Sequence, residues 1–124
     1  MERMLLFALA FAGTLTLARA EPALRWENKT VELRPAASEK TVRADFNFTN
    51  TSREPVVIDA VKSSCGCTTV SLDKKVYQPG EKGRITGVFT PGGSRGVQTK
   101  AISVKVKGEP KPTVLIMVTH LEGR

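Results

Sequence analysis

The nine residues from Lys40 to Phe48 read KTVRADFNF. Val42, Ala44, Phe46 and Phe48 alternate with Thr41, Arg43, Asp45 and Asn47. Successive side chains of a β-strand point to opposite faces, so this period of two predicts a strand with one face on a core and the other in water. The segment KAISVKVKG (100–108) repeats the pattern, with Ile102, Val104 and Val106 set against Ser103, Lys105 and Lys107. PVVIDAV (55–61) is short and β-branched, which suits a third strand. PTVLIMVTH (112–120) is a continuous apolar run, consistent with a strand buried on both faces or one pairing late in a sandwich.

Turn signals separate these runs: RPAASE (34–39), NTSREP (50–55), YQPGEKG (77–83), TPGGSRG (90–96) and KGEPKP (107–112). Strands are expected near Ala23–Leu33, Thr41–Asn50, Val56–Ser63, Thr68–Leu72, Gly83–Thr90, Gln98–Lys107 and Thr113–His120. About seven short strands in roughly a hundred residues predict an all-β fold, an immunoglobulin-like β-sandwich. Trp26 falls in the first expected strand and is read as covering one end of the core, with ligand stacking as the alternative. Three Asn-x-Ser/Thr triplets, at Asn28, Asn47 and Asn50, are read as chance occurrences.

The N-terminus sets a compartment. MERMLLFALAFAGTLTLARA (1–20) carries Arg3, an apolar run from Leu5 to Leu17, and a small-x-small ending at Ala18-Arg19-Ala20. This reads as a signal peptide over residues 1–20, too short and interrupted for a good membrane span. Residues 21–124 then form one domain of 104 residues with net charge +6, with no membrane span after cleavage. The expected location is periplasmic or secreted. Lysines and arginines are spread through the chain and do not interleave with aromatics, so the sequence argues against a nucleic-acid surface. A solvated basic face suits anionic cell-envelope material instead.

No catalytic constellation stands out. His120 is the single histidine and is expected at a frayed end. Asp45, Asp59, Glu81 and Glu109 are scattered and read as solvated acids. The Gly-rich stretches PGEKG and PGGSRG each join expected strands and read as turns. The sequence therefore predicts a protein that is not an enzyme.

One motif carries chemistry. SSCGCTT (63–69) holds both cysteines of the chain, Cys65 and Cys67, with Gly66 between them. Residues i and i+2 of a strand face the same way, and glycine permits a bend that draws the sulfurs together. Four readings stand. The pair could clip copper(I) through two soft thiolates, with Cys65 and Cys67 as the metal ligands and copper as the cofactor. It could close a local disulfide, since an exported chain meets oxidants. It could act in thiol exchange, because a small ring is easily reduced. Or it could pack two small residues at a bend. Any chemical role would need both sulfurs together.

These landmarks resemble a bacterial exported family of unknown function, built on an immunoglobulin-like domain and marked by a Ser-Cys-Gly-Cys-Thr segment. FNFTN (46–50), VKSSCGCT (61–68), YQPGEKG (77–83) and GVQTKAISVKV (96–106) occur in the same order here. The resemblance implies a seven-stranded sandwich related to pilus-chaperone-like and sperm-protein-like domains. It implies no known catalysis, and it implies binding of other proteins through sheet edges and loops; a protein or cell-envelope partner is the expectation. The family cysteines map onto Cys65 and Cys67 without a settled role. The functional expectation is an exported non-catalytic binding or structural module. The alternative is a periplasmic copper(I)-binding or thiol-redox accessory protein using Cys65 and Cys67.

Overall fold

A computed structural model of the chain describes residues 12–14 and 22–121. The leader read at residues 1–20 otherwise lies outside the described residues. Among the described residues nine strands form two sheets, and there is no helix. Their bounds are β1 Leu24–Trp26, β2 Thr30–Leu33, β3 Val42–Asn50, β4 Val56–Ser63, β5 Thr68–Leu72, β6 Val76–Tyr77, β7 Lys82–Phe89, β8 Gly96–Val106 and β9 Thr113–Leu121. One sheet runs β1-β3-β7-β5 and the other β2-β9-β8-β4-β6. The pairings are antiparallel except β2 with β9, which is parallel. This is an all-β, immunoglobulin-like sandwich, as the alternation predicted.

The core follows from that alternation. Val42, Ala44, Phe46 and Phe48 of β3 are all buried, and so are Ile102, Val104 and Val106 of β8. Ile85 and Phe89 of β7 join them, with Leu115, Met117 and Leu121 of β9. The sheets approach closely at Gly87 of β7. A Cβ there would lie 2.8 Å from both Met117 Sδ and Ile102 Cδ1, so a side chain at this position would have to displace both.

The expectations differ from the structure in three places. The first expected strand is two. β1 pairs with β3, the chain crosses over residues 27–29, and β2 pairs with β9 in the other sheet. Backbone bonds fix that step: Glu27 N–H donates to Asn47 O at 3.0 Å, and Ile116 N–H donates to Lys29 O at 2.7 Å. The second difference is β6, two residues long and so without a readable period. The third concerns β9. Leu115, Met117, Thr119 and Leu121 are buried, whereas Val114 is exposed and Ile116 and Val118 are half-buried. The run is thus not buried on both faces. One face of its sheet packs on the partner sheet, and the other looks outward.

Asn50 closes one end of the sandwich. It is fully buried at the end of β3. Its Nδ2 donates to Glu54 O and to Tyr77 O, each at 2.9 Å. Its Oδ1 accepts from Ser52 N–H at 3.0 Å and from Ser52 Oγ at 2.6 Å. The Asn50 N–H donates to Glu81 O at 2.9 Å, and Gly80 N–H donates to Asn50 O at 2.7 Å. One residue thus joins β3, the entry to β4 and β6 through its side chain and the Pro79-Gly80 turn through its backbone. Buried amides hold a fold only when their bonds are made, and here four are made. The side chain of this triplet is a buried strut, which agrees with reading the Asn50 triplet as chance.

Replacing Asn50 leaves Glu54 O, Tyr77 O and Ser52 N–H without these partners. Asn50→Ala is expected to destabilise the fold by about 2–4 kcal/mol. Urea unfolding followed by circular dichroism checks this, with a shifted midpoint and an unchanged slope expected.

Candidate functional site

The Cys-Gly-Cys segment occupies the corner between β4 and β5. β4 belongs to the five-stranded sheet and β5 to the four-stranded one, so the corner carries the chain between sheets. It takes only residues 64–67 to do so. The sulfurs of Cys65 and Cys67 are joined as a disulfide, with their Cα atoms 5.2 Å apart. Both residues are half-buried, Gly66 between them is exposed, and Cys67 packs against the hydrophobic core.

Hydrogen bonds anchor the corner on both sides of Gly66. Ser63 Oγ donates to Cys65 O at 2.8 Å and accepts from Cys65 N–H at 3.2 Å. Thr68 N–H donates to Cys65 O at 3.2 Å and closes the turn. Ser64 N–H donates to Ala101 O at 2.8 Å, and Ser64 Oγ accepts from Ala101 N–H at 3.0 Å, tying the corner to β8. Thr90 N–H donates to Cys67 O at 2.9 Å and ties it to the segment after β7. The two serines before the cysteines thus satisfy backbone groups where the ladder stops, as short polar side chains do at turns.

Two contacts involve sulfur. Cys67 N–H donates to Cys65 Sγ at 3.1 Å. Cys67 Sγ lies 4.0 Å from the Thr68 hydroxyl. The sequence placed Gly66 at the bend for its freedom in unusual dihedrals. Gly66 does not use that freedom: its φ is not positive, and a Cβ there would meet nothing within 4 Å. Its exposure leaves the approach to the disulfide open.

The other residues singled out lie elsewhere. His120 is not frayed. It sits in β9 opposite Val97 of β8, with Nε2 3.5 Å from Glu32 Oε1 of β2. Trp26 is half-buried with its ring centroid 5.0 Å from that of Phe48, which meets Tyr77 edge-on at 4.8 Å. It thus covers the core at the Asn50 end, beside a hollow of about 340 Å³ lined by Arg25, Glu27, Thr49 and Thr51. Burial pushes the Tyr77 phenol above its ordinary range. Among the four acids, Asp45 accepts from Thr86 Oγ1 at 2.8 Å and from Arg43 Nε at 3.2 Å. Burial opposes its charge, but these bonds with Arg43 and Arg84 outweigh it and hold its carboxyl below the usual range. Glu81 is held low by its bond from Lys74 and by Gln78 N–H. Glu109 caps the Ala23 N–H at 3.2 Å, and Asp59 is exposed on β4. None of these reaches the cysteine corner.

A copper clip at Cys65 and Cys67 needs both thiolates free, and in the structure each sulfur is bonded to the other. Among the described residues no three His, Cys, Asp or Glu side chains gather in a metal-holding group.

The two-sheet arrangement, with a first strand that changes sheet, defines an immunoglobulin-like β-sandwich domain. Residues 24–121 match DUF1573, a family described as proteins of unknown function, and the chain belongs to that family. No curated protein matches the sequence. Among solved structures it resembles a protein of unknown function from Porphyromonas gingivalis W83, at 14% identity and a TM-score of 0.69. The match covers 82% of this chain but 50% of that one, so this chain spans about half its relative. PapD-like domain 7 of human CEP192 is similar at 13% identity and a TM-score of 0.61, over 88% of this chain and 94% of that one. The Escherichia coli chaperone DraB is similar at 14% identity and a TM-score of 0.58, over 80% and 55%. Stretches of larger enzymes, among them Vibrio cholerae proteases, share the sandwich as well. At these identities the likeness is one of fold alone.

The ring closed by Cys65 and Cys67 spans one intervening residue and restricts the unfolded chain little. Cys65→Ser and Cys67→Ser are each expected to lower stability by only about 1–2 kcal/mol. Gly66→Ala, with open space around its Cβ, is expected to stay within about 0.5 kcal/mol of the parent. Thermal unfolding of the three variants beside Asn50→Ala measures the contrast.

Proposed function

We propose that this chain is an exported, non-catalytic binding module that holds a protein partner in the cell envelope. The partner contributes an extended segment that adds to the free edge of β4. The observation that carries the reading is that this edge is only partly covered. β6 pairs with Val56 and Val57 alone, and Lys75 O accepts from Ile58 N–H at 2.8 Å. Beyond the bulge between Ile58 and Ala60, β4 is paired, among the described residues, only with β8.

The register says which groups are free. Ser64 N–H faces Ala101 of β8, and the pairing continues as Lys62 with Ser103 and Ala60 with Lys105. Hydrogen bonding alternates along an antiparallel strand, so the Val61 N–H and C=O point away from β8. Such an edge accepts another strand through main-chain bonds, with side-chain hollows for selectivity. A hollow of about 380 Å³ adjoins it, walled by Ile58, Val61 and Leu72 and rimmed by Asp59, Asp73, Lys74 and Lys75. The bulge and the exposed Lys62 discourage pairing between copies of the chain, a common protection of sheet edges. The likeness of the fold to a PapD-like domain and to a chaperone supports the same reading.

Val61→Pro removes the outward donor while leaving the Ala60 and Lys62 bonds to β8 available. Affinity capture from the native envelope fraction, with parent and variant side by side, tests the proposal. Loss of the captured partner by Val61→Pro is expected, with the melting temperature within a few degrees of the parent. Equal capture by the variant, or no partner with the parent, would overturn it.

A further inference from the structure

We infer that the Cys65–Cys67 pair is a reversible thiol–disulfide exchange site, in which Cys65 is the exchanging sulfur and Cys67 resolves. The inference is independent of the partner proposed at the β4 edge. The structure captures the oxidised form.

The pair is placed where a structural crosslink would achieve little. It joins residues two apart and bridges no two strands. The corner keeps its shape through other means: Ser63 Oγ holds both ends of the Cys65 backbone, Ser64 is bonded twice to Ala101, and Thr68 and Thr90 hold the carbonyls of Cys65 and Cys67. None of these bonds passes through sulfur. Opening the disulfide therefore leaves the two sulfurs held close on a fixed turn, where displacement of an external thiol from a mixed disulfide on one sulfur by the other is intramolecular and fast. A pair that opens and closes without moving the fold can be cycled.

The two sulfurs differ. Cys67 packs against the core, which leaves Cys65 as the sulfur an incoming reactant meets first. Cys65 Sγ also receives the Cys67 N–H at 3.1 Å, a donor that favours a thiolate there after reduction. The exposed, unobstructed Gly66 keeps the approach open.

The exchange runs with a dithiol–disulfide couple as co-reactant. In the reducing direction, a thiolate of an external dithiol attacks Cys65 Sγ. The Cys65–Cys67 bond breaks, Cys67 leaves with the electron pair and takes a proton, and a mixed disulfide stands on Cys65. The second thiol of the reductant, after losing its proton, attacks its own partner sulfur. Cys65 leaves as the thiolate beside the Cys67 N–H and is then protonated. Two electrons and two protons pass to the protein, and the dithiol becomes a disulfide. The reverse sequence oxidises the protein and reduces a substrate disulfide, beginning with Cys65 attacking it.

Dithiothreitol and glutathione disulfide serve as probes on the folded chain. Native protein is expected to show no free thiols, then two after dithiothreitol, with unchanged circular dichroism. Reduced protein treated with glutathione disulfide is expected to return to the internal disulfide. Cys67→Ser is expected to stop at a stable glutathione adduct on Cys65, seen by mass spectrometry. Cys65→Ser is expected to form its adduct at least about tenfold more slowly. A disulfide opened only in denaturant, or the two variants reacting at equal rates, would overturn the assignment. Circular dichroism of both variants separates unequal reactivity from unfolding.

Discussion

The chain must pass from one sheet to the other after β4, and it does so in the four residues 64–67. That corner governs the architecture on either side of it. It places β5 at the edge of the four-stranded sheet while β4 remains in the five-stranded one, so the sandwich stays open between their edges. It also forces backbone groups out of both ladders. Ser63, Ser64, Thr68 and Thr90 answer those groups, because unpaired buried amides and carbonyls are too costly to leave. The cysteines sit on a frame that these bonds already hold.

The far end of the sandwich solves the same problem with one buried amide. Asn50 gathers the loop after β3, β6 and the Pro79-Gly80 turn, and the aromatic group of Trp26, Phe48 and Tyr77 packs beside it. Between the two ends, Gly87 lets Met117 and Ile102 cross the gap between sheets. One end is thus closed by a buried polar hub and aromatic rings. The other is a thin, half-exposed turn that carries the only sulfurs able to form a disulfide. This asymmetry separates the part of the domain that stabilises it from the part open to chemistry.

Much of this architecture can be read from residue order. The alternation is strong in β3 from Val42 to Phe48 and in β8 from Ile102 to Val106, because each inward position there is apolar and each outward one polar. β9 misleads because Val114, Ile116 and Val118 are apolar on an outward face, where β-branched residues suit a strand whichever way they point. The change of sheet between β1 and β2 is hidden, since Glu27, Asn28 and Lys29 contain neither glycine nor proline. Asn50 reads as a turn residue, and only its burial and four side-chain bonds mark it as a hub. At the corner, the Ser-Ser-Cys-Gly-Cys-Thr string shows that something chemical or structural happens. It does not show that Cys67 meets the core while Cys65 receives an amide proton, because both facts depend on where β8 and the segment after β7 come to lie.

Backbone hydrogen bonds, and not the disulfide, build the corner. Residue-resolved amide hydrogen exchange before and after reduction tests this most directly. The amides of Ser64, Thr68 and Thr90 are predicted to keep their protection within about tenfold when the sulfurs are separated. Exchange of these three amides at the rate of an unstructured chain after reduction would contradict it.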